Sequence, residues 1–117
     1  MLLFLLLFSL SITSGKVYAS NGAIFAATEL LGRPTDSSVT VSVLAEQDLE
    51  TYFEYGTEPS DYANQTSPVQ RQGGIPFETV IGGLQNDTRY YYRMVYREIN
   101  ATDWIRRDEH SFRTQRG

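Results

Sequence analysis

The chain has 117 residues, enough for one domain, and a formal net charge of −4 at pH 7. This acidic balance disfavours nucleic acids and anionic membrane surfaces as partners. The chain contains no cysteine, which excludes disulfide bonds and a cysteine-linked lipid anchor.

The N-terminal segment predicts a secretory signal peptide over residues 1–19. Residues 1–10 are almost wholly apolar, and Val17-Tyr18-Ala19 offers small residues at the positions that a signal peptidase reads. The apolar run is about half the roughly 20 residues that a helix needs to cross a bilayer, which disfavours a transmembrane anchor. We therefore expect a secreted or periplasmic domain over residues 20–117, with no membrane contact after cleavage.

Hydrophobic alternation predicts three strands in the first half of this domain. In the second strand Val alternates with Thr and Ser, which is the pattern of a half-buried strand. In the third strand Phe53 and Tyr55 should face the core, and Tyr52 and Glu54 should face outward. The three strands are predicted at residues 24–31, 39–43 and 51–55.

The middle of the domain predicts a long loop followed by a strand. Residues 60–74 show no clear period, so we expect a loop there with one short edge strand at residues 62–65. Residues 76–81 predict a strand in which Phe77 and Thr79 face inward and the alternate side chains face outward.

The strand predicted at residues 89–97 is the most informative part of the chain. Every second side chain is a tyrosine or methionine, and most of the alternate ones are polar. The order Leu84, Thr88, Tyr90 also fits a tyrosine corner, in which a tyrosine at the start of a strand bonds upstream backbone through its hydroxyl. We expect an inward set of Tyr90, Tyr92, Met94 and Tyr96 and an outward set of Arg89, Tyr91, Arg93, Val95 and Arg97.

The complete pattern is that of an all-β domain. A polar hairpin loop over residues 98–108 and a last strand at residues 111–115 bring the total to about seven strands, separated by turn residues. The sequence therefore predicts an immunoglobulin-like or fibronectin type III-like β-sandwich of about seven antiparallel strands, about 100 residues in size. Such a fold does not by itself define a function.

Four segments in order resemble a known family. They are residues 38–43, 52–57, 84–93 and 111–114, and the most telling parts are Tyr55-Gly56-Thr57-Glu58-Pro59 and the triple tyrosine at 90–92. Over about residues 28–115 the chain resembles the N-terminal fibronectin type III-like domain of purple acid phosphatases and related secreted metallophosphoesterases. The resemblance implies a domain that packs against a metallophosphoesterase catalytic domain and helps to shape the approach to its active site.

The metal-binding motifs of that family have no counterpart in this chain. Metallophosphoesterases bind two metals through Asp-x-His, Gly-Asp, Asn-His-Glu and later His motifs, and none of these occurs here. The resemblance therefore implies acid phosphatase activity only in a separate catalytic domain. We expect a non-catalytic accessory domain without a cofactor, and the alternative is a stand-alone secreted module that binds carbohydrate or protein.

The only histidine, His110, gives little support for a metal site. Asp108 and Glu109 precede it, but a catalytic zinc site normally needs three protein ligands with a set geometry. Adjacent residues of a strand point in opposite directions, so the three side chains should not converge. A catalytic triad would also need a histidine within reach of a nucleophile. We expect no metal ligand and no catalytic residue.

Aromatic side chains provide the candidate binding residues. Tyr52 and Tyr91 could stack on a sugar or a base, although aromatic residues also favour strands for structural reasons. Outward Glu50 and Glu54 could pair with Arg89, Arg93 or Arg97 of the neighbouring strand. For an accessory domain, we expect Trp104 and Phe112 to contact the partner domain, since Trp is enriched in interface anchors. Trp104 could equally cap the core.

Three Asn-x-Thr sequences are potential glycosylation sites in predicted loops. Their acceptor residues are Asn64, Asn86 and Asn100.

Overall fold

The computed structural model describes residues 29–117, which form two antiparallel β-sheets packed face to face. This architecture confirms the predicted all-β immunoglobulin-like sandwich. The predicted signal peptide, and residues 24–28 of the first predicted strand, lie outside the described residues. From residue 29 to residue 117 the strands are β1 (Leu30–Leu31), β2 (Val39–Val43), β3 (Leu49–Gly56), β4 (Asn64–Gln65), β5 (Val69–Arg71), β6 (Phe77–Ile81), β7 (Arg89–Glu98), β8 (Ile105–Arg106) and β9 (His110–Arg113).

The strands are divided between a small and a large sheet. Sheet A contains β1, β2 and β6 in that order, and sheet B is built on the central pair β3 and β7. β4 and β5 both pair with β3 and form one edge of sheet B, whereas β8 and β9 pair with β7 and form the other. None of the residues from 29 to 117 forms a helix long and apolar enough to cross a membrane.

The core lies between the two sheets and follows the predicted alternation. In β2, buried Val39, Val41 and Val43 alternate with half-buried Thr40 and Ser42. Each fully buried side chain of this size contributes roughly 1.5–3 kcal/mol to folding, so the alternation fixes which face of each strand points inward. The other core residues include Leu49, Phe53, Phe77, Ile81, Leu84, Tyr90, Tyr92, Met94, Tyr96 and Phe112.

The predicted tyrosine corner is present at the start of β7. The backbone N–H of Gln85 donates a hydrogen bond of 2.9 Å to the hydroxyl of Tyr90. The Tyr90 ring is buried and stacks on Phe112 of β9, with ring centroids 5.7 Å apart. The corner therefore ties the turn that precedes β7 to the core.

The structure corrects the prediction at the edges of sheet B. β3 is longer than predicted, and β5 and β8 were not predicted as strands. Both short strands are mostly exposed and are held by backbone pairing to β3 and β7. Their side chains therefore show no alternation of apolar and polar residues. A tight approach follows β5, where a Cβ atom at Gly73 would lie 2.6 Å from the carbonyl oxygen of Glu46. Only glycine fits there without displacing the backbone.

Arginine side chains connect the two sheets along both lateral sides of the sandwich. On one side, Nη2 of Arg71 in β5 donates to the Glu78 carbonyl and to the Thr79 hydroxyl of β6, both at 3.2 Å. On the other side, Arg107 between β8 and β9 pairs with Glu29, which directly precedes β1. Each contact joins an edge of sheet B to an edge of sheet A.

Candidate functional site

Ion pairs cover the outer face of sheet B, the face that points away from the core. The β3–β7 register places Glu54 opposite Arg93 and Glu50 opposite Arg97. Nε of Arg93 lies 2.7 Å from Oε1 of Glu54, and Nη2 of Arg97 lies 2.9 Å from Oε1 of Glu50. Both expected pairings between the outward acids and arginines are therefore present.

Trp104 packs onto this outer face and does not cap the core. Its ring meets the Tyr52 ring edge-on with centroids 4.9 Å apart, and the Arg97 guanidinium lies 4.2 Å from its ring centroid. Val95 was expected to face water, but it is fully buried beside Tyr52 in the sheet. Trp104 and Arg97 thus form a second layer outside sheet B.

This layer changes the interpretation of the candidate stacking residues. Tyr52 is only 8% exposed because Trp104 lies against it, so it presents no free ring face to a ligand. Tyr91 is half-buried and pairs with Gly56, whereas Tyr52 pairs with Val95. Four residues of strand separate the two tyrosines, about 13 Å, so they do not form one stacking platform.

Phe112, the other candidate interface residue, belongs to the core. Its ring lies 5.7 Å from the Tyr90 ring and 5.8 Å from the Tyr92 ring, and its side chain is buried. Phe112 is therefore not available to contact a partner. The alternation of β9 explains this placement, because Ser111 and Arg113 on either side of Phe112 point outward.

A hydrogen-bonded cluster fixes the turn between β3 and β4 to the start of β9. Oε1 of Glu109 accepts hydrogen bonds from the Tyr62 hydroxyl and from the backbone N–H of Ser60. These two bonds hold the pKa of Glu109 below its ordinary value. Desolvation and the bond to Glu109 raise the pKa of Tyr62 to about 12, and the Arg93 guanidinium lies 4.5 Å from the Tyr62 ring centroid. The cluster is structural in character, because it joins two loops.

The three potential glycosylation sites are all exposed. Asn86 and Asn100 lie in turns, as expected, but Asn64 lies in the short edge strand β4. The hydroxyl of Thr66, two residues after Asn64, accepts a hydrogen bond from the backbone of Phe53.

His110 lies beside the buried carboxylate of Glu29, a residue that no motif or spacing in the chain singles out. The Glu29 side chain is 2% exposed, and its Oε2 accepts a hydrogen bond of 2.8 Å from Nε of Arg107. Its Oε1 lies 4.0 Å from Nε2 of His110. Desolvation and the nearby Glu29 carboxylate raise the pKa of Tyr92 to about 12. Within residues 29–117, no group of three or more His, Cys, Asp or Glu side chains is arranged to hold a metal ion.

The outer face of sheet A carries exposed apolar side chains beside one exposed carboxylate, that of Glu78, which pairs with Ser42. Leu30 pairs with Ser42, and Val80 pairs with Thr40, so all four side chains lie on the face opposite the core. Leu30 is 66% exposed and Val80 is 62% exposed. Because Thr40 and Ser42 are small, the face is flat between the two apolar residues.

Comparisons with known proteins support the fold and do not define a family. No protein-family model and no curated protein matches the chain. A computationally redesigned β-sandwich protein superposes with a TM-score of 0.52 and 18% identity, over 77% of this chain and 93% of that one. The sensor domain of the anti-sigma factor RsgI4 from Pseudobacteroides cellulosolvens gives a TM-score of 0.54 and 12% identity, over 76% of this chain and 75% of that one. At these identities, the similarity shows a shared β-sandwich fold alone.

Proposed function

We propose that this chain is a non-catalytic accessory domain, exported from the cytoplasm, that docks on a metallophosphoesterase-like catalytic domain through the outer face of sheet A. The observation that carries the docking proposal is the exposure of Leu30 and Val80 on that face. Contiguous exposed apolar surface marks interfaces, and Leu30 and Val80 lie on the same face, one on each side of β2. The identity of the partner rests on the resemblance of residues 55–59 and 90–92 to the purple acid phosphatase accessory domain.

The signature residues of that resemblance stabilise the sandwich, as an accessory domain requires. Tyr55 packs against the core, and Tyr90 and Tyr92 are part of it. Gly56 is buried where a Cβ atom would lie 2.5 Å from the Asp61 carbonyl oxygen, so the turn after β3 needs glycine. Trp104 and Phe112 are already packed within the domain, so Leu30 and Val80 replace them as the proposed contacts.

A fusion protein tests the docking. The full chain is joined at its C terminus to a purple acid phosphatase catalytic domain, and small-angle scattering measures whether the two domains form one compact particle. We expect the parent to be compact and Val80→Asp to be extended, because a buried unpaired charge opposes docking. Val69→Asp is the matched control, since Val69 is also exposed but lies in β5 of sheet B.

Two outcomes would contradict the proposal. One is an extended parent fusion, and the other is a compact Val80→Asp fusion. Circular dichroism of each variant shows that the sandwich itself remains folded, so that loss of docking is not confused with unfolding.

A further inference from the structure

A pocket of about 380 Å³ lies on one lateral side of the sandwich, where the start of β1 meets β8 and β9. Its volume is at the lower end of the range of about 300–1,000 Å³ that is typical of small-molecule sites. Residues from both sheets line it, including Glu29 ahead of β1, Tyr96 of β7 and His110 of β9. The pocket is separate from the outer face of sheet A.

Within the part of the chain that the structure describes, one buried carboxylate oxygen at this pocket lacks a hydrogen-bond donor. The Glu29 side chain is 2% exposed, and Arg107 satisfies only its Oε2. Among residues 29–117, Oε1 has no hydrogen-bond partner. Buried carboxylate oxygens are strongly destabilised without a donor, and exceptions of this kind require an explanation.

The position of His110 suggests how a ligand would meet that need. Nε2 of His110 lies 4.0 Å from Oε1 of Glu29, which is too far for a direct hydrogen bond. An oxygen atom about 2.8 Å from both atoms would see them at an angle of roughly 90°. One hydroxyl group can therefore donate to Glu29 and accept from the imidazole N–H at the same time. Oε1 itself is buried, so a ligand hydroxyl reaches it only when the half-exposed His110 ring moves slightly toward solvent.

The remaining pocket residues indicate a neutral ligand. Both arginines of the pocket already pair with carboxylates, Arg107 with Glu29 and Arg106 with Glu54, so no uncompensated positive charge is left for an anion. Ile105 is 49% exposed and adds apolar surface among these donors and acceptors. Sugars and polyols combine hydroxyl groups with apolar C–H faces, and their hydroxyls both donate and accept.

We propose that this pocket binds a single sugar ring or a polyol of similar size, with one ligand hydroxyl bridging Glu29 and His110. This activity goes beyond the docking function and does not depend on it. It also differs from stacking on the outer tyrosines, because Tyr52 and Tyr91 take no part in the pocket.

The test is a titration of the purified full chain followed by nuclear magnetic resonance. The probes are the methyl glycosides of glucose, galactose, mannose and N-acetylglucosamine, together with myo-inositol. We expect at least one probe to shift the His110 amide and the Arg107 Nε–H resonances along a saturating curve. Glu29→Gln should weaken that binding about tenfold, because it removes a charged hydrogen-bond acceptor while keeping the size of the side chain.

Two further variants keep the test decisive. His110→Ala removes the hydrogen-bond donor of the bridge at a half-exposed position, and it should also weaken binding. It keeps the test usable if Glu29→Gln fails to fold. Asp87→Asn is the control, since Asp87 pairs with Arg113 away from the pocket, and its affinity should equal that of the parent. The proposal is overturned if no probe shifts these resonances, or if Glu29→Gln and His110→Ala both bind as the parent does. Saturating binding of choline or inorganic phosphate alone would overturn the assignment of a neutral ligand.

Discussion

The outer faces of the two sheets differ in how much of their strand surface is already covered. On sheet B, Trp104 and Arg97 form a second layer over β3 and β7, so even the outward Val95 is fully buried. On sheet A, Leu30 and Val80 are largely exposed beside Thr40, Ser42 and the charged Glu78. The comparison teaches that a face with its own polar and aromatic cover has little surface left for a partner, whereas a bare face with exposed apolar side chains still offers some.

The largest effect on stability should come from β2 of sheet A, where substitutions on the inner and outer faces should differ strongly. Val41→Asp should abolish folding, because Val41 is fully buried and the new charge would have no partner. Thr40→Asp, one residue away on the outer face, should cost only about 1 kcal/mol, the span of strand propensities, because the half-buried side chain at this position reaches water. Thermal unfolding followed by circular dichroism measures both. A cooperative transition at the parental temperature in Val41→Asp would mean that β2 is assigned to the wrong face.

Removing Trp104 from the second layer outside sheet B should have the next largest effect on stability. Trp104→Ala should lower the free energy of unfolding by about 2 kcal/mol, roughly half the cost of deleting a fully buried tryptophan, because Trp104 is half-buried. Chemical denaturation measures the change. Trp104→Phe, which keeps an aromatic ring against Tyr52, should recover part of the loss. An unfolding free energy equal to that of the parent in Trp104→Ala would mean that this layer does not stabilise the domain.

The tyrosine corner should contribute a smaller amount. Tyr90→Phe keeps the stacked ring and removes the hydrogen bond to Gln85, so it should cost about 1 kcal/mol in the same denaturation experiment. Tyr91→Phe, on the outer side of the same strand, should cost less than Tyr90→Phe. Equal losses in the two variants would show that the corner bond adds nothing.

The hydrogen-bonded cluster of Tyr62, Ser60 and Glu109 should depend on pH. Hydrogen bonds from Tyr62 and Ser60 depress the pKa of this carboxylate in the folded state. The bonds therefore stabilise the fold above the ordinary pKa of Glu109, near 4.5, and are lost as the pH falls through its lower folded value. Tyr62→Phe should move the pKa of Glu109 back toward 4.5, as measured from carboxyl chemical shifts. An unchanged pKa in Tyr62→Phe would assign the depression to another cause.

Much of the fold could be predicted from the sequence because burial imposes a two-residue period on central strands. β2, β6 and β7 were placed correctly for this reason, and the tyrosine corner followed from the spacing of Leu84, Thr88 and Tyr90. The edge strands β5 and β8 were missed because backbone pairing holds them and their side chains remain mostly exposed.

The candidate site was less predictable because its features depend on contacts between distant parts of the chain. Trp104 was assigned to a partner or to the core, since nothing local shows that a loop will fold over the outside of sheet B. Phe112 was assigned to an interface from its place near the C terminus, although strand alternation turns it inward. Glu29 meets His110 from 81 positions away along the chain, and no spacing rule connects them.

The most direct test of the docking proposal is the reactivity of a single cysteine on the bare face. The chain contains no cysteine, so Val80→Cys introduces one thiol at a chosen place. Its labelling rate with a maleimide is compared between the free chain and a fusion with a cysteine-free metallophosphoesterase catalytic domain, with Val69→Cys as the reference. The account predicts that fusion slows labelling at position 80 at least tenfold and leaves position 69 unchanged, because only the outer face of sheet A becomes covered. Equal labelling rates at position 80 in the free and fused proteins would contradict it.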